Sequence, residues 1–319
     1  MYCRLMNRAF IFPGQGSQVV GMGKDFYNKF QTARTTFQFI DDSLNYKLSN
    51  IIFNGSDEEL TLTQNTQPAL MAVSMAIINT LKDQNRTNIA SLCQYVAGHS
   101  LGEYSALCAA ESISLIDTAK LLRRRGEAMQ NACAFGVGAM AACIGIDITA
   151  LEQIIYDYAG AEVCQIANDN ISGQIVISGH NASVERVIAI LKDLGYKAIK
   201  LKVSAPFHCD LMQPAEQEMT QALSEVIVDK PIVPVITNVT AVPTNDPMII
   251  KQNLITQVCG RVRWRETIDQ LVQAGIEEIV EIGSGKILTG MIKRTNHKLR
   301  TVNIGTVTEF DEFMESNLV

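Results

Sequence analysis

No C-x-x-C pair, no long apolar run and no surplus of positive charge occurs in this 319-residue chain, and each absence removes a class of protein. The eight cysteines (Cys3, Cys93, Cys108, Cys133, Cys143, Cys164, Cys209, Cys259) stand apart, with no histidine-rich tract beside them. That argues against a zinc site and against a disulfide framework. Cys93, Cys143 and Cys164 lie in apolar runs, where a thiol behaves as a small buried hydrophobe. The longest apolar-rich stretch, Ala69 to Ile78, is about half of what a membrane span needs. The basic start of the chain is followed only by Ala9-Phe10-Ile11-Phe12 before Pro13, too short for the apolar region of a signal peptide. The expectation is a cytoplasmic protein that is neither exported nor membrane-bound. With 27 Lys and Arg against 33 Asp and Glu, the formal charge of -6 argues against a nucleic-acid binder. What remains is an ordinary enzyme-like composition, long enough for one large domain or two smaller ones.

The chain opens with a strand signal at 8–12, broken by Pro13-Gly14-Gln15-Gly16-Ser17. A helix is expected from near Pro68, because proline suits a first helical position. Leu92 to Ala97 reads as a second strand, and Ser114 with Asp117 as the cap of a further helix. From about 135 to 203 the rhythm changes. Strands at 138–144, 163–167, 174–178 and 197–203 alternate with helices at 149–158, capped by Thr149 and Glu152, and 181–194. That order, β-α-β-β-α-β, is the signature of a ferredoxin-like unit. Its flanks read as parallel α/β, with later strands near 234–238 and 277–282. The expected architecture is a parallel-sheet domain of residues 1–132 and 205–319, with a small ferredoxin-like domain, 133–204, inserted into it.

Gly98-His99-Ser100-Leu101-Gly102 matches G-x-S-x-G between an apolar strand and a helix. A strand turning sharply into a helix exposes the serine hydroxyl, and crowding at the turn calls for glycine on either side. The same turn points the N–H of Leu101 toward a developing oxyanion. The pattern alone also fits a strand-helix turn with an incidental serine. Serine needs a base, and the chain has four histidines. His99 should point away from the hydroxyl, His180 sits in a turn of the inserted unit, and His297 lies among Lys293, Arg294 and Lys298. Elimination leaves His208, in Ala205-Pro206-Phe207-His208 at the return to the main sheet. Cys209 is the rival nucleophile there, but nothing evident lowers its pKa.

In Arg123-Arg124-Arg125 a helical wheel sends Arg124 to solvent, while Arg125 borders the apolar face of Leu115, Ala119, Leu122, Gly126 and Met129. An arginine entering a pocket would offer a two-pronged cation to a carboxylate. The wheel leaves that reading level with a surface salt bridge. The loop Phe12 to Gln18 offers a second oxyanion donor. Gly283-Ser284-Gly285-Lys286 hints at a phosphate loop, but Val280 and Ile287 stand where glycine and Ser or Thr belong. A tight turn is the better reading.

Taken in order, Phe12 to Gln18, Gly98 to Tyr104, Arg125-Gly126 with Met129-Gln130, Ala205 to His208, Gln257 with Val262-Arg263-Trp264, and Glu281 to Lys286 resemble one family. It is the malonyl-CoA:acyl carrier protein transacylases of dissociated fatty acid synthesis. The resemblance implies a hydrolase-like α/β core with a ferredoxin-like insertion, in agreement with the pattern above. It implies that Ser100 accepts the malonyl group from coenzyme A and that His208 acts as base and then acid. Gln15 and Leu101 would supply the oxyanion N–H groups, and Arg125 would clamp the malonyl carboxylate, with Met129 and Phe207 at the substrate. The Gln257 carbonyl would hold the imidazole, and acyl carrier protein would be the partner. No cofactor or metal is implied, and a monomer is expected. Two positions depart from the family: Arg261 stands where many members have proline, and Asn170-Ile171-Ser172-Gly173-Gln174 replaces the commoner Asn-Ser-Pro-Gly-Gln. The alternatives are a serine esterase or thioesterase on the same elbow, and a non-catalytic docking module. Hydrolases of that fold place an acid between serine and histidine, whereas here Gln257 follows His208. Docking an acidic carrier would need local basic charge, for which Lys200, Lys202, Arg261, Arg263, Lys286 and Lys293 are candidates.

Overall fold

A computed structural model describes residues 7–134, 136–295 and 298–317. The expectations for residues 1–6 and for His297 lie outside them. Ten strands form two sheets: β1 Arg8–Phe12, β2 Tyr95–Gly98, β3 Gly138–Ile144, β4 Cys164–Ile171, β5 Gln174–His180, β6 Lys197–Lys200, β7 Val235–Ile236, β8 Pro243–Thr244, β9 Glu278–Ile282 and β10 Arg300–Ile304. The larger sheet runs β10-β9-β1-β2-β7-β8, parallel except for the β7–β8 pair. Both its faces are covered, as a parallel sheet requires. Along β1, Phe10 and Phe12 enter the core under helix Thr63–Asn85, while Ala9 and Ile11 enter a second cluster around Trp264, Ile268 and Leu288.

The smaller sheet runs β4-β5-β3-β6 and is antiparallel, with helices Ile148–Tyr158 and Asn181–Asp193 on one face. This is the ferredoxin-like order. Ala141, Cys143, Ile177, Val187 and Leu191 make that face's own core. Met140 and Val176, pointing the other way, join the core of the main sheet. The two packings make the chain α/β, a parallel-sheet core carrying an inserted antiparallel unit.

Two expected helix starts move. The helix expected from Pro68 begins at Thr63 and carries Pro68 inside it. The carbonyl that proline leaves without its helical N–H, that of Gln64, receives Arg123 Nη1 at 3.4 Å. The helix expected from Thr149 is capped by Asp147, whose carboxylate accepts the Ala150 N–H at 3.0 Å. Ser114 caps Leu115–Asn131 through the Asp117 N–H, at 3.0 Å. Strands β8 and β10 are marked by no pattern in the sequence. Among the described residues no helix is long and apolar enough to cross a membrane, and no group of three or more His, Cys, Asp or Glu could hold a metal ion.

Candidate active site

Phe12 pairs with Gly98, so β1 and β2 end level and their loops meet at the C-terminal edge of the sheet. Ser100 leaves β2 with φ 53° and ψ -109°, a strained turn, and Leu101 opens helix Leu101–Ala109. A Cβ on Gly98 would lie 1.9 Å from Gly102 O, and one on Gly102 would lie 2.3 Å from Phe12 O. Only glycine fits at either place. Helical geometry gives the Leu101 N–H no acceptor of its own. Gln15 approaches from the β1 loop, which Ser284 Oγ secures by donating to Ser17 O at 2.7 Å. The Gly283 loop is thus a structural turn against the site.

Ser100 Oγ stands 2.8 Å from His208 Nε2, and His208 Nδ1 stands 2.9 Å from the Gln257 carbonyl. A carbonyl only accepts, so Nδ1 carries the proton and Nε2 accepts from the serine hydroxyl. Burial first, and then the charge of Arg125, pushes the His208 pKa down to about 3, against the pull of the Gln257 carbonyl. His99 points away, its Nε2 2.9 Å from Asn170 Oδ1 and its ring against Trp264. His180 Nδ1 accepts the Val163 N–H at 3.1 Å. Cys209 is buried with its thiol donating to Pro206 O, and burial raises its pKa.

Arg125 lies in the site at 1% exposure. Gly126 beside it lets its helix meet the backbone of Gln64, where a Cβ would come within 2.6 Å. Nη1 donates to Gln67 Oε1 at 2.8 Å; Nη2 donates to Gln257 Oε1 at 2.9 Å and to Ser100 Oγ at 3.2 Å. The guanidinium stands 5.6 Å from the Tyr104 ring centroid. Arg124 reaches Glu218 and Glu225 on the surface. Arg123 pairs with Glu127 and meets Tyr46. The wheel's open alternative for Arg125, a surface salt bridge, therefore falls to Arg124.

Gln15, Leu101, Ser100, His208, Arg125, Met129 and Phe207 line one cavity of about 130 Å³, closed by Met140, Leu201 and Val203 of the inserted unit and its return. A larger groove of about 540 Å³ shares His208 and is lined by Glu152, Asp210, Glu216 and Arg261, but Ser100 does not line it. Of the six candidate docking cations, Lys200, Arg261, Arg263 and Lys286 are paired with Glu185, Glu152, Glu266 and Glu309. Lys202 and Lys293 are exposed and make no ion pair among the described residues.

Three buried polar neighbours of the site carry no motif of their own. Gln67 holds Arg125. Asn238 Oδ1 accepts the Ser100 N–H, and its Nδ2 donates to Gly98 O, both at 2.7 Å. Glu103 Oε2 accepts from Gln257 Nε2 at 2.7 Å and from the Asn238 N–H at 2.8 Å. A signal for Glu103 existed: a charge in a helix apolar all round has to find a partner.

The acyl transferase domain family matches residues 9–310. The malonyl CoA-acyl carrier protein transacylase of Bacillus subtilis (strain 168) is 44% identical over 299 residues, 93% of this chain and 92% of that one. The crystal structure of an acyl-carrier-protein-S-malonyltransferase from Bartonella henselae superposes with a TM-score of 0.95 at 50% identity, covering 98% of this chain and all of the other. A malonyl-transacylase solved in complex with its type II PKS acyl-carrier protein gives a TM-score of 0.93 at 36% identity, over 98% of this chain and 100% of that one. With a match across nearly its whole length, the chain belongs to the acyl transferase domain family.

Proposed function

We propose that this chain transfers malonyl groups from malonyl-CoA to the phosphopantetheine thiol of an acyl carrier protein, through an ester on Ser100. The observation that carries the reading is the buried Arg125 guanidinium 3.2 Å from the nucleophile. A carboxylate one methylene from the reacting carbonyl reaches a cation so placed, and an acetyl group has nothing to offer it.

In the first half-reaction Ser100 Oγ attacks the thioester carbon and gives its proton to His208 Nε2. The N–H groups of Gln15 and Leu101 receive the oxyanion; removing one such donor typically costs ~3–4 kcal/mol in the barrier. Collapse breaks the C–S bond, and the imidazolium protonates the leaving coenzyme A thiolate. In the second half-reaction neutral His208 takes the proton of the incoming pantetheine thiol. The thiolate attacks the ester carbon, and the proton returns to Ser100. The Gln257 carbonyl keeps the imidazole in the tautomer both halves need. Met129 and Phe207 bound the acyl group and leave room for a short chain.

Intact-protein mass after mixing with malonyl-CoA is the test. One malonyl adduct is expected on the native chain, none on Ser100→Ala, and its loss on adding holo-acyl carrier protein. An adduct persisting on Ser100→Ala, or free malonate released regardless of carrier, would overturn the reading.

A further inference from the structure

Glu103 is the only charge in helix Leu101–Ala109, every residue of which is buried. It hydrogen-bonds to neither Ser100 Oγ nor His208, and the mechanism above leaves it idle. Yet its Oε2 takes two N–H groups of residues that reach the site, the Gln257 side-chain amide and the Asn238 backbone.

Gln257 is the junction. Its Nε2 also donates to Ser100 O at 3.1 Å, its Oε1 receives Arg125 Nη2 at 2.9 Å, and its backbone carbonyl holds His208. Which way the amide faces is decided at both ends. A guanidinium can only donate, so Oε1 must face Arg125; Oε2 of Glu103 accepts, so Nε2 must face it. The Asn238 side chain holds the Ser100 N–H and Gly98 O, bracing the strained elbow. A carboxylate oxygen removed from this place would release the Gln257 amide, whereas the Asn238 side chain keeps both its bonds to the elbow.

We infer that Glu103 is a positioning residue which, through the Gln257 amide, sets where the Arg125 guanidinium and the Ser100–His208 pair stand. The inference rests on the malonyl-transfer reading and deepens it. Carboxyl and amide serve alike here, because both partners of Oε2 are donors and a glutamine at 103 keeps one oxygen toward them. Alanine keeps none.

The experiment follows malonyl and acetyl loading of Ser100 from the two CoA esters, by quenched-flow and intact mass, with melting curves for each variant. Glu103→Ala should slow malonyl loading about a hundredfold, the scale of a ~1 Å misplacement, and narrow the malonyl-over-acetyl preference. Glu103→Gln should recover most of both. Gln257→Leu keeps its backbone carbonyl but loses the amide, and should repeat the alanine pattern. The double variant Glu103→Ala with Gln257→Leu should be little slower than either single one, since both act through one amide. Folded Glu103→Ala with native rate and preference would overturn the inference, as would additive effects in the double variant. Should Glu103→Ala not fold, Glu103→Gln loading as slowly as Gln257→Leu overturns it instead. A folded native chain that takes no malonyl group sinks the functional reading, and this inference with it; the other failures leave that reading standing.

Discussion

Ser100 and His208 meet at 2.8 Å, and each holds a left-handed backbone, with φ 53° and 58°. Non-glycine residues in that region store strain, which persists only where the surroundings over-determine it. Here the fixtures are Asn238 on the Ser100 N–H and the Gln257 carbonyl on His208. Chemistry between the two therefore starts from a fixed geometry.

The protonation of His208 should show in the rate. Burial and Arg125 hold it to about 3, so no acid limb near the ordinary 6.5 should come from it. Glu103, pushed up by burial to about 7, is a second group that titrates in that window. Glu103→Gln should accordingly give a kcat/KM profile without an acid limb from about pH 8 down to about pH 5. Because kcat/KM reports the free enzyme, a limb near 6.5 in that variant would contradict the position of His208.

Arg125→Ala should reverse the preference among acyl groups. Truncating one partner of a buried charged contact costs about 2–5 kcal/mol, read as a fall in malonyl kcat/KM of about thirtyfold to a few thousandfold. Acetyl loading should gain relative to malonyl. Arg125→Lys should rescue little, since an ammonium cannot span Gln67, Gln257 and a ligand from one plane. Unchanged acyl preference in Arg125→Ala would remove its role.

How far these features were legible depends on how local their causes are. The elbow, the ferredoxin-like order and the inward side of Arg125 follow from local spacing and appear in the structure; β3 matches at both ends, while β4 runs on to Ile171, β5 to His180, and β6 stops at Lys200. Pro68 and Thr149 misled because the deciding partners, Arg123 across a helix pair and the neighbouring Asp147, outcompete the motif. β10 is an edge strand paired only with β9, and its Arg300 to Asn303 are exposed or half-buried, so no apolar run marks it in the sequence. Asn238 and Gln67 carry no motif. Their meaning comes from Ser100 and Arg125, more than a hundred and more than fifty residues away in sequence.

Cys209, the rival nucleophile beside His208, should prove inert. Its thiol is buried, donates to Pro206 O and has a raised pKa, so little thiolate forms. Cys209→Ala should still form the malonyl adduct, and brief iodoacetamide treatment of the native chain should leave acyl loading intact. Rapid inactivation with label on Cys209, prevented by malonyl-CoA, would place the thiol in the site.

Thermal stability should expose two buried groups that oppose each other. Glu103 is raised from 4.5 to about 7, so between those values the native chain keeps a proton that the unfolded chain has lost. Its contribution falls as pH rises, by on the order of 3 kcal/mol across the window. His208 is lowered from 6.5 to about 3, so between those values the unfolded chain carries the extra proton, and stability rises with pH. From about pH 4.5 to about pH 6.5 the two slopes cancel, and this site adds little pH dependence to the native Tm. Each substitution should uncover the other slope. Glu103→Gln should melt at higher temperature as pH rises through that window, and His208→Gln at lower temperature. Parallel Tm curves for both variants and the native chain, measured by calorimetry from about pH 4.5 to about pH 6.5, would show that neither group is shifted as its burial demands.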